Sequence, residues 1–270
     1  EVILSKGHAV RPQDMAALAG VGITRVKVFE RPRVAIISTG NEIVPADSVP
    51  APGRIRDSNS YNLEGLIAQA GGTAVKGGII PDDYNRLRKS LEDALKDCRL
   101  ILMTGGSSVG TADLTAKVVD DLGPPGVLVH GVSIKPGKPL IVGIIGSGRP
   151  GGQIPVFGLP GHPAAVSICF ELFVKPVLAR LTGLVLDPAL EGISPCCTVK
   201  ARMTRSISST PGREDHVRVM LEKKDDGLWA RPVFGPSGLI STLVKAVGTV
   251  VVPINKIGIE AGEDVDVRLF

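Results

Sequence analysis

From residue 33 onward the chain repeats one rhythm, a short apolar run, a loop, and then an amphipathic stretch. The run VAIIS (34–38) is unbroken, as a strand covered on both faces requires. Further strands are expected over 73–79, 100–103, within 127–133, within 140–145 and over 154–157, and helices near 59–70, 84–96, 112–122 and after Pro163. In the second of these helices Leu87, Leu91, Ala94, Leu95 and Cys98 recur at i, i+4, i+7, i+8 and i+11, which paints a single apolar stripe. Strands alternating with such helices predict a doubly wound α/β sheet over residues 31–183. Past Gly183 the helical period stops. Short β-like runs follow at 198–202, 217–222, 228–233, 249–253 and 265–269, with one short helix near 240–246, so residues 184–270 are expected to form a small all-β unit. Residues 1–30 read as strand, short helix over 13–18 and strand over 24–29, too little for a core of their own. They are expected to be the remnant of a larger linking domain, because EVILSKGHAV enters in mid-strand without an initiator Met.

Composition sharpens this picture. With 43% hydrophobic residues but only 3% aromatics, the core must be built from Val, Ile, Leu and Ala, which favours α/β over a helical bundle. A net charge of +4, spread along the chain without basic runs, argues against a nucleic-acid partner and suits a small anionic ligand. The four cysteines include no CxxC pair, so zinc and redox roles recede in favour of buried thiols in a reducing compartment. No apolar run reaches the roughly 18–20 residues of a membrane helix, and no signal peptide opens the chain, so no membrane and a cytoplasmic location are expected.

The strongest local signal is Thr104-Gly105-Gly106-Ser107-Ser108-Val109-Gly110, between the apolar run LILM and a helix. A tight βα turn needs one glycine. Three, with hydroxyls between them, suit a loop whose backbone N–H groups cradle an anion at the carboxyl edge of an open sheet. Asp113, expected to open the next helix, fits a cap, yet a carboxylate on the rim of an anion loop also suits a divalent cation. Ser38-Thr39-Gly40-Asn41-Glu42, then Asp57-Ser58-Asn59, then Asp82-Asp83 stand at junctions on the same expected edge, where capping is again the plain alternative. Acidic clusters converging on an anion loop make a divalent-metal and phosphate constellation. Lys135 and Lys138, three apart on the stiff turn KPGKP, suit an oxyanion as point charges, or are solvated surface lysines. Pro160-Gly161-His162-Pro163 leads from strand to helix and offers further N–H donors, while His162 reads as a loop histidine without a catalytic role.

Taken in order, STGNEI (38–43), DSN (57–59), PDD (81–83), TGGSSVGTAD (104–113), KPGKP (135–139) and FGLPGHPAAV (157–166) resemble the MoeA-type molybdopterin molybdenumtransferases and the related domain of gephyrin. The resemblance implies a three-layer α/β/α domain of the MogA kind followed by a small β-barrel domain, and a homodimer with its cleft between subunits. It implies adenylylated molybdopterin and molybdate as substrates, with Mg2+ assisting release of AMP. Residue by residue, Glu42, Asp82 or Asp83, and Asp113 match the family's acidic positions, Glu42 and Asp113 as metal ligands. Thr39, Gly40, Asp57, Ser58, Asn59, Gly105, Gly106, Ser107, Ser108, Gly110, Lys135, Lys138, Pro160 and Gly161 fall in its ligand-binding segments. Two positions depart from the pattern, Asn41 where the family commonly has Asp, and His162 where LPGNP would give Asn. A MogA-type adenylyltransferase is implied as a partner. As an identity for this chain the same enzyme is the nearest rival, which the all-β unit argues against. A scaffold domain without catalysis is the alternative from another class.

Overall fold

The structure, a computed structural model, describes residues 2–105, 109–146, 152–184 and 198–270, with the backbone alone over 109–112. Gly106, Ser107, Ser108, Cys196 and Cys197 lie outside the described residues.

Helix α1 (Pro12–Gly20) is followed by β1 (Arg33–Thr39), the short pair β2 (Ile43–Val44) and β3 (Ile55–Arg56), α2 (Asn59–Gln69) and β4 (Thr73–Ile80). Then come α3 (Tyr84–Asp97), β5 (Leu100–Gly105), α4 (Val109–Asp121), β6 (Pro125–His130), β7 (Ile134–Lys135), β8 (Ile141–Gly146) and β9 (Gln153–Leu159). The next helix begins as α5 (Pro163–Cys169), widens to a π turn over Phe170–Val174 and ends as α6 (Lys175–Leu181). Five longer strands follow, β10 (Thr198–Met203), β12 (Glu214–Lys224), β13 (Gly227–Pro232), β14 (Gly248–Val252) and β16 (Asp264–Leu269). Two short ones, β11 (Ile207–Ser208) and β15 (Gly258–Ile259), and helix α7 (Ser241–Lys245) stand among them.

The first sheet has the order β4-β1-β5-β9-β8-β6. Its central strands β1, β5 and β9 are buried along most of their length because helices cover both faces. Along β1, Val34 and Ile36 point to the side of α2 and α5, packing on Leu63, Ile67, Phe157, Val166 and Phe170, while Ala35 and Ile37 meet Leu87, Leu91 and Val118 of α3 and α4. This is the expected three-layer domain. One strand departs from the expected parallel pattern, since β8 runs antiparallel to both β6 and β9. The reversal has a consequence for the site. It brings the start of β8 opposite the end of β9, Ile141 facing Gly158, and so carries the KPGKP turn to the carboxyl edge of the parallel strands.

The five strands β13-β10-β16-β14-β12 close on themselves through β12 and β13, giving a barrel around Ala201, Met203, Val219, Ala230, Val250, Val252 and Val267. The barrel does not hang free of the α/β domain. Strand β7 leaves the first domain to pair in parallel with β12, Ile134 facing Glu214 and Lys135 facing Asp215.

The opening segment differs from expectation. Its helix is present, but neither run read as a strand pairs with any described residue in a ladder, and the alternating ITRVKVF (23–29) has no regular structure and is exposed. Alternation alone makes no strand, because a ladder needs a neighbour with free N–H and C=O groups, and the described residues supply none.

Candidate functional site

Four strand ends lie side by side on one edge. Thr39 of β1 pairs with Ile80 of β4 on one side and with Gly105 of β5 on the other, and Thr104 of β5 faces Leu159 of β9. The backbone there is drawn tight. A Cβ on Gly105, which has a φ of +138°, would stand 1.8 Å from the Thr39 carbonyl oxygen, so only glycine lets the two strands approach. Gly40 has a φ of +143°, and a side chain there would meet the Glu42 carboxylate at 2.7 Å, which shows that Glu42 folds back over the end of β1. Next to it Asn41 and Asp82 exchange bonds, the Asn41 N–H donating to Asp82 Oδ2 and the Asp82 N–H to Asn41 Oδ1, each at 3.3 Å. Asp82 Oδ1 is buried and has no partner among the described residues.

The DSN segment divides its tasks. Asp57 is buried and faces inward, accepting from the Ser38 hydroxyl at 2.7 Å and from the Ser60 N–H at 3.1 Å, so its carboxylate anchors the start of α2 to β1. Ser58 is exposed and makes no side-chain cap bond. Asn59 donates from Nδ2 to the Gly161 carbonyl at 2.8 Å, tying this loop to the one after β9, and its buried Oδ1 is unpartnered among the described residues. A small crevice opens where these loops meet, lined by Thr39, Thr104, Gly105, Thr115, Pro139 and Pro160 among others. Into it the buried Thr104 brings an Oγ1 that also lacks a partner among the described residues.

Three expected roles change. Asp83 caps α3, its carboxylate accepting from the Arg86 N–H at 2.9 Å, which leaves Asp82 as the acidic group at the strand end. Asp113 does not open a helix, because α4 begins four residues earlier at Val109 and already includes Gly110. Asp113 stands exposed in the helix body, and capping no longer explains it. Lys135 is exposed but turned toward the barrel, its Nζ 3.6 Å from an Asp215 carboxylate that Arg213 also grips at 2.8 Å. Lys138 is exposed on the same turn. Beneath the turn Cys169 packs against Gly137, and burial pushes its thiol up to about 12, which makes it a filler and not a nucleophile.

The barrel adds what the sequence pattern conceals. In HVRVML the valines fill the barrel core, so Arg218 alternates outward and reads as a solvated charge. It is instead 9% exposed. Its Nη2 donates to the Gly235 carbonyl at 2.9 Å, while Nε and Nη1 are buried with no partner among the described residues. Burial pulls its pKa down from the usual guanidinium value. A buried guanidinium with donors to spare is costly unless an anion completes it. The segment that meets it, 235–239, also touches the loop after β9, where Ser237 Oγ lies 2.8 Å from His162 Nδ1. Two positions along β12, His216 is buried beside Glu214, whose carboxylate is 2.9 Å from Nε2 but out of line for a hydrogen bond, and desolvation lowers the imidazole pKa.

No cluster of three or more metal-ligating side chains occurs among the described residues. A hard carboxylate at the sheet edge, Glu42 folded over Gly40, still fits a magnesium ion of the kind held by one or two carboxylates together with substrate phosphates and water.

Comparison with known proteins places this geometry. Residues 35–180 match the family described as "Probable molybdopterin binding domain", and residues 200–270 match the MoeA C-terminal region, domain IV. The chain is 35% identical over 267 residues to a molybdopterin molybdenumtransferase of Nostoc sp., covering 97% of this chain and 58% of the relative. It is 30% identical to that of Bacillus subtilis, covering all of this chain and 60% of the relative. Among solved structures it resembles a molybdopterin biosynthesis MoeA protein from Pyrococcus horikosii, with a TM-score of 0.80 and 36% identity, over 99% of this chain and 61% of that one. A molybdenum cofactor biosynthesis protein from Pyrococcus furiosus superposes with a TM-score of 0.72 at 32% identity, over 100% of this chain and 80% of that one. The chain thus spans about three fifths of the length of the two curated relatives.

Proposed function

Because the chain belongs to the MoeA family of molybdopterin-binding proteins, we propose that it acts in molybdenum cofactor biosynthesis, inserting molybdate into adenylylated molybdopterin with release of AMP. The observation that carries this is the meeting of the STGNE, DSN, PDD and PGHP segments at one sheet edge, tied by the Asn41–Asp82 and Asn59–Gly161 hydrogen bonds. Such an edge, beside a glycine-rich turn leading into a helix, suits a phosphorylated ligand.

We assign Thr39, Gly40, Gly105, Gly106, Ser107, Ser108, Gly110, Pro160 and Gly161 to the phosphate-binding edge, where glycine lets a ligand approach the backbone. Lys138 stands on the turn as a point charge, Lys135 being engaged with Asp215, and Arg218 has two nitrogens, Nε and Nη1, without a partner among the described residues. When bound, magnesium would be held by Glu42 and Asp113 and would neutralise charge on the phosphoanhydride. Water attacks one anhydride phosphorus, the bridging P–O bond breaks, and AMP leaves. We assign the proton of that water to the open Oδ1 of Asp82. Asp57 and Asn59 hold the loops in place, with Ser58 exposed between them. The adenylylated substrate would come from a MogA-type adenylyltransferase.

We also propose a division at 1–30, 31–183 and 184–270, and a homodimer. Exposed apolar side chains along the opening segment, Val28 at 72% and Met15 at 63% among them, support burial against further protein. No helix among the described residues is long and apolar enough to cross a membrane, and we propose a cytoplasmic location.

The test is AMP release from adenylylated molybdopterin, with and without molybdate, by a full-length enzyme carrying this region. Molybdate-dependent release that is lost in Glu42→Gln is expected. Binding without release, whatever the molybdate concentration, would refute the catalytic reading.

A further inference from the structure

We infer that His162 is a positioning residue, the latch that fastens the barrel loop 235–239 to the ligand edge of the α/β domain. Nothing in the sequence marks it for this. Its ring reads as a loop histidine, and its partner lies 75 positions away.

Three links make the case. First, Ser237 is gripped twice by the segment after β9, its Oγ 2.8 Å from His162 Nδ1 and its carbonyl accepting from the Ala164 N–H at 3.1 Å. Gly238 backs onto the same ring, since a Cβ there would lie 3.4 Å from His162 Cδ2. Second, the other end of the loop is fixed to the barrel. The Gly235 carbonyl takes the Arg218 Nη2 at 2.9 Å, and Gly235 has a φ of +150° with Thr242 close enough that a Cβ would meet it at 2.8 Å. Third, the residue before His162 is held from the opposite side, the Gly161 carbonyl accepting from the buried Asn59 Nδ2 at 2.8 Å.

Asn59, Gly161, His162, Ser237, Gly235 and Arg218 therefore form one chain of links that crosses from α2 to β12. A side-chain contact at its centre joins two domains whose loops otherwise meet there by a single backbone hydrogen bond. The serine hydroxyl can donate to Nδ1 or accept from it, so the latch holds in either tautomer and in the protonated ring. Its effect is to hold the segment that bonds Arg218 against the ligand edge. That last consequence rests on the proposed function, whereas the latch itself rests on geometry alone.

Hydrogen exchange of the peptide covering 233–243, measured on the whole chain without ligand, tests the latch independently of any activity. His162→Ala should raise exchange of the 237–239 amides about fivefold, the equivalent of one net hydrogen bond of about 1 kcal/mol. His162→Asn should restore protection, because an amide atom of asparagine occupies nearly the place of Nδ1. Ser237→Ala should match His162→Ala, and the double variant should add nothing to either. A thermal melt run beside each variant separates local opening from loss of fold. Unchanged exchange in His162→Ala, no recovery in His162→Asn, or additive single effects would each overturn the inference. Binding of AMP as a probe, measured with the same variants, reports separately on the proposed function. If exchange changes as expected while AMP affinity does not, the latch stands and its link to the ligand falls.

Discussion

Replacing Gly105 by alanine probes the sheet edge most directly. Gly105 ends β5 at a φ of +138°, and a Cβ there would lie 1.8 Å from the Thr39 carbonyl oxygen and 2.4 Å from its Oγ1. Two costs combine. Holding an L-residue in that backbone region costs about 1–3 kcal/mol. The clash is with backbone, and Thr39 is pinned between Ile80 and Gly105, so relief requires the strand ends to part; overpacking of this kind costs about 1–3 kcal/mol more. The sum, about 2–6 kcal/mol, is a large share of the roughly 5–15 kcal/mol that holds a domain folded. Gly78 supplies the control. Its φ is +85°, yet nothing lies within 4 Å of an added Cβ, so Gly78→Ala carries the first cost without the second. Urea unfolding at 25 °C, followed by circular dichroism with both variants beside the parent, should show Gly105→Ala losing at least about 1 kcal/mol more than Gly78→Ala at an unchanged m-value. Equal losses, or a loss below about 1 kcal/mol for Gly105→Ala, would refute the argument that close strand approach requires this glycine.

The other predictions concern charge. Asp113→Asn should leave the melting point essentially unchanged, since an exposed mid-helix substitution typically stays within about 0.5 kcal/mol, while magnesium-dependent AMP release falls sharply; undiminished release would remove Asp113 from the metal site. Asp57→Asn retains only part of the bonding to Ser38 and Ser60 and should cost about 1–3 kcal/mol in chemical denaturation, so a neutral substitution there would mean that the carboxylate does not anchor α2. His216 is buried with its pKa lowered by desolvation, so the unfolded chain takes up its proton first as pH falls. Its contribution is complete above the unfolded value near pH 6.5 and is lost as pH falls below that toward the folded value. Melts of the parent and of His216→Gln between pH 7.5 and 5 (about the window set by that unfolded value) should converge toward the acid end. Parallel curves would exclude this linkage.

Much of the fold was legible because burial on two faces leaves a plain mark. The continuous apolar run of β1, the stripe through Leu87 and Leu91, and the switch to short alternating runs in the last third each follow from which surface a residue must hide. The order of the six motifs was enough to bring four strand ends and their acidic residues to one edge. Tertiary structure decided the rest. Whether ITRVKVF becomes a strand depends on a neighbour, and the direction of β8, which puts KPGKP at the ligand edge, is invisible in a run of Ile and Val that reads alike both ways. Arg218 and His162 were hidden for the same reason. A charge on the outer face of a strand and a histidine in a loop look solvated until another segment covers them. Here that segment is 235–239, brought over β12 by barrel closure and pairing across residues far apart in sequence. Local pattern fixes what each element wants to bury, but only the assembled chain settles which polar groups are buried with it, and so which of them are left with hydrogen bonds to give to a ligand.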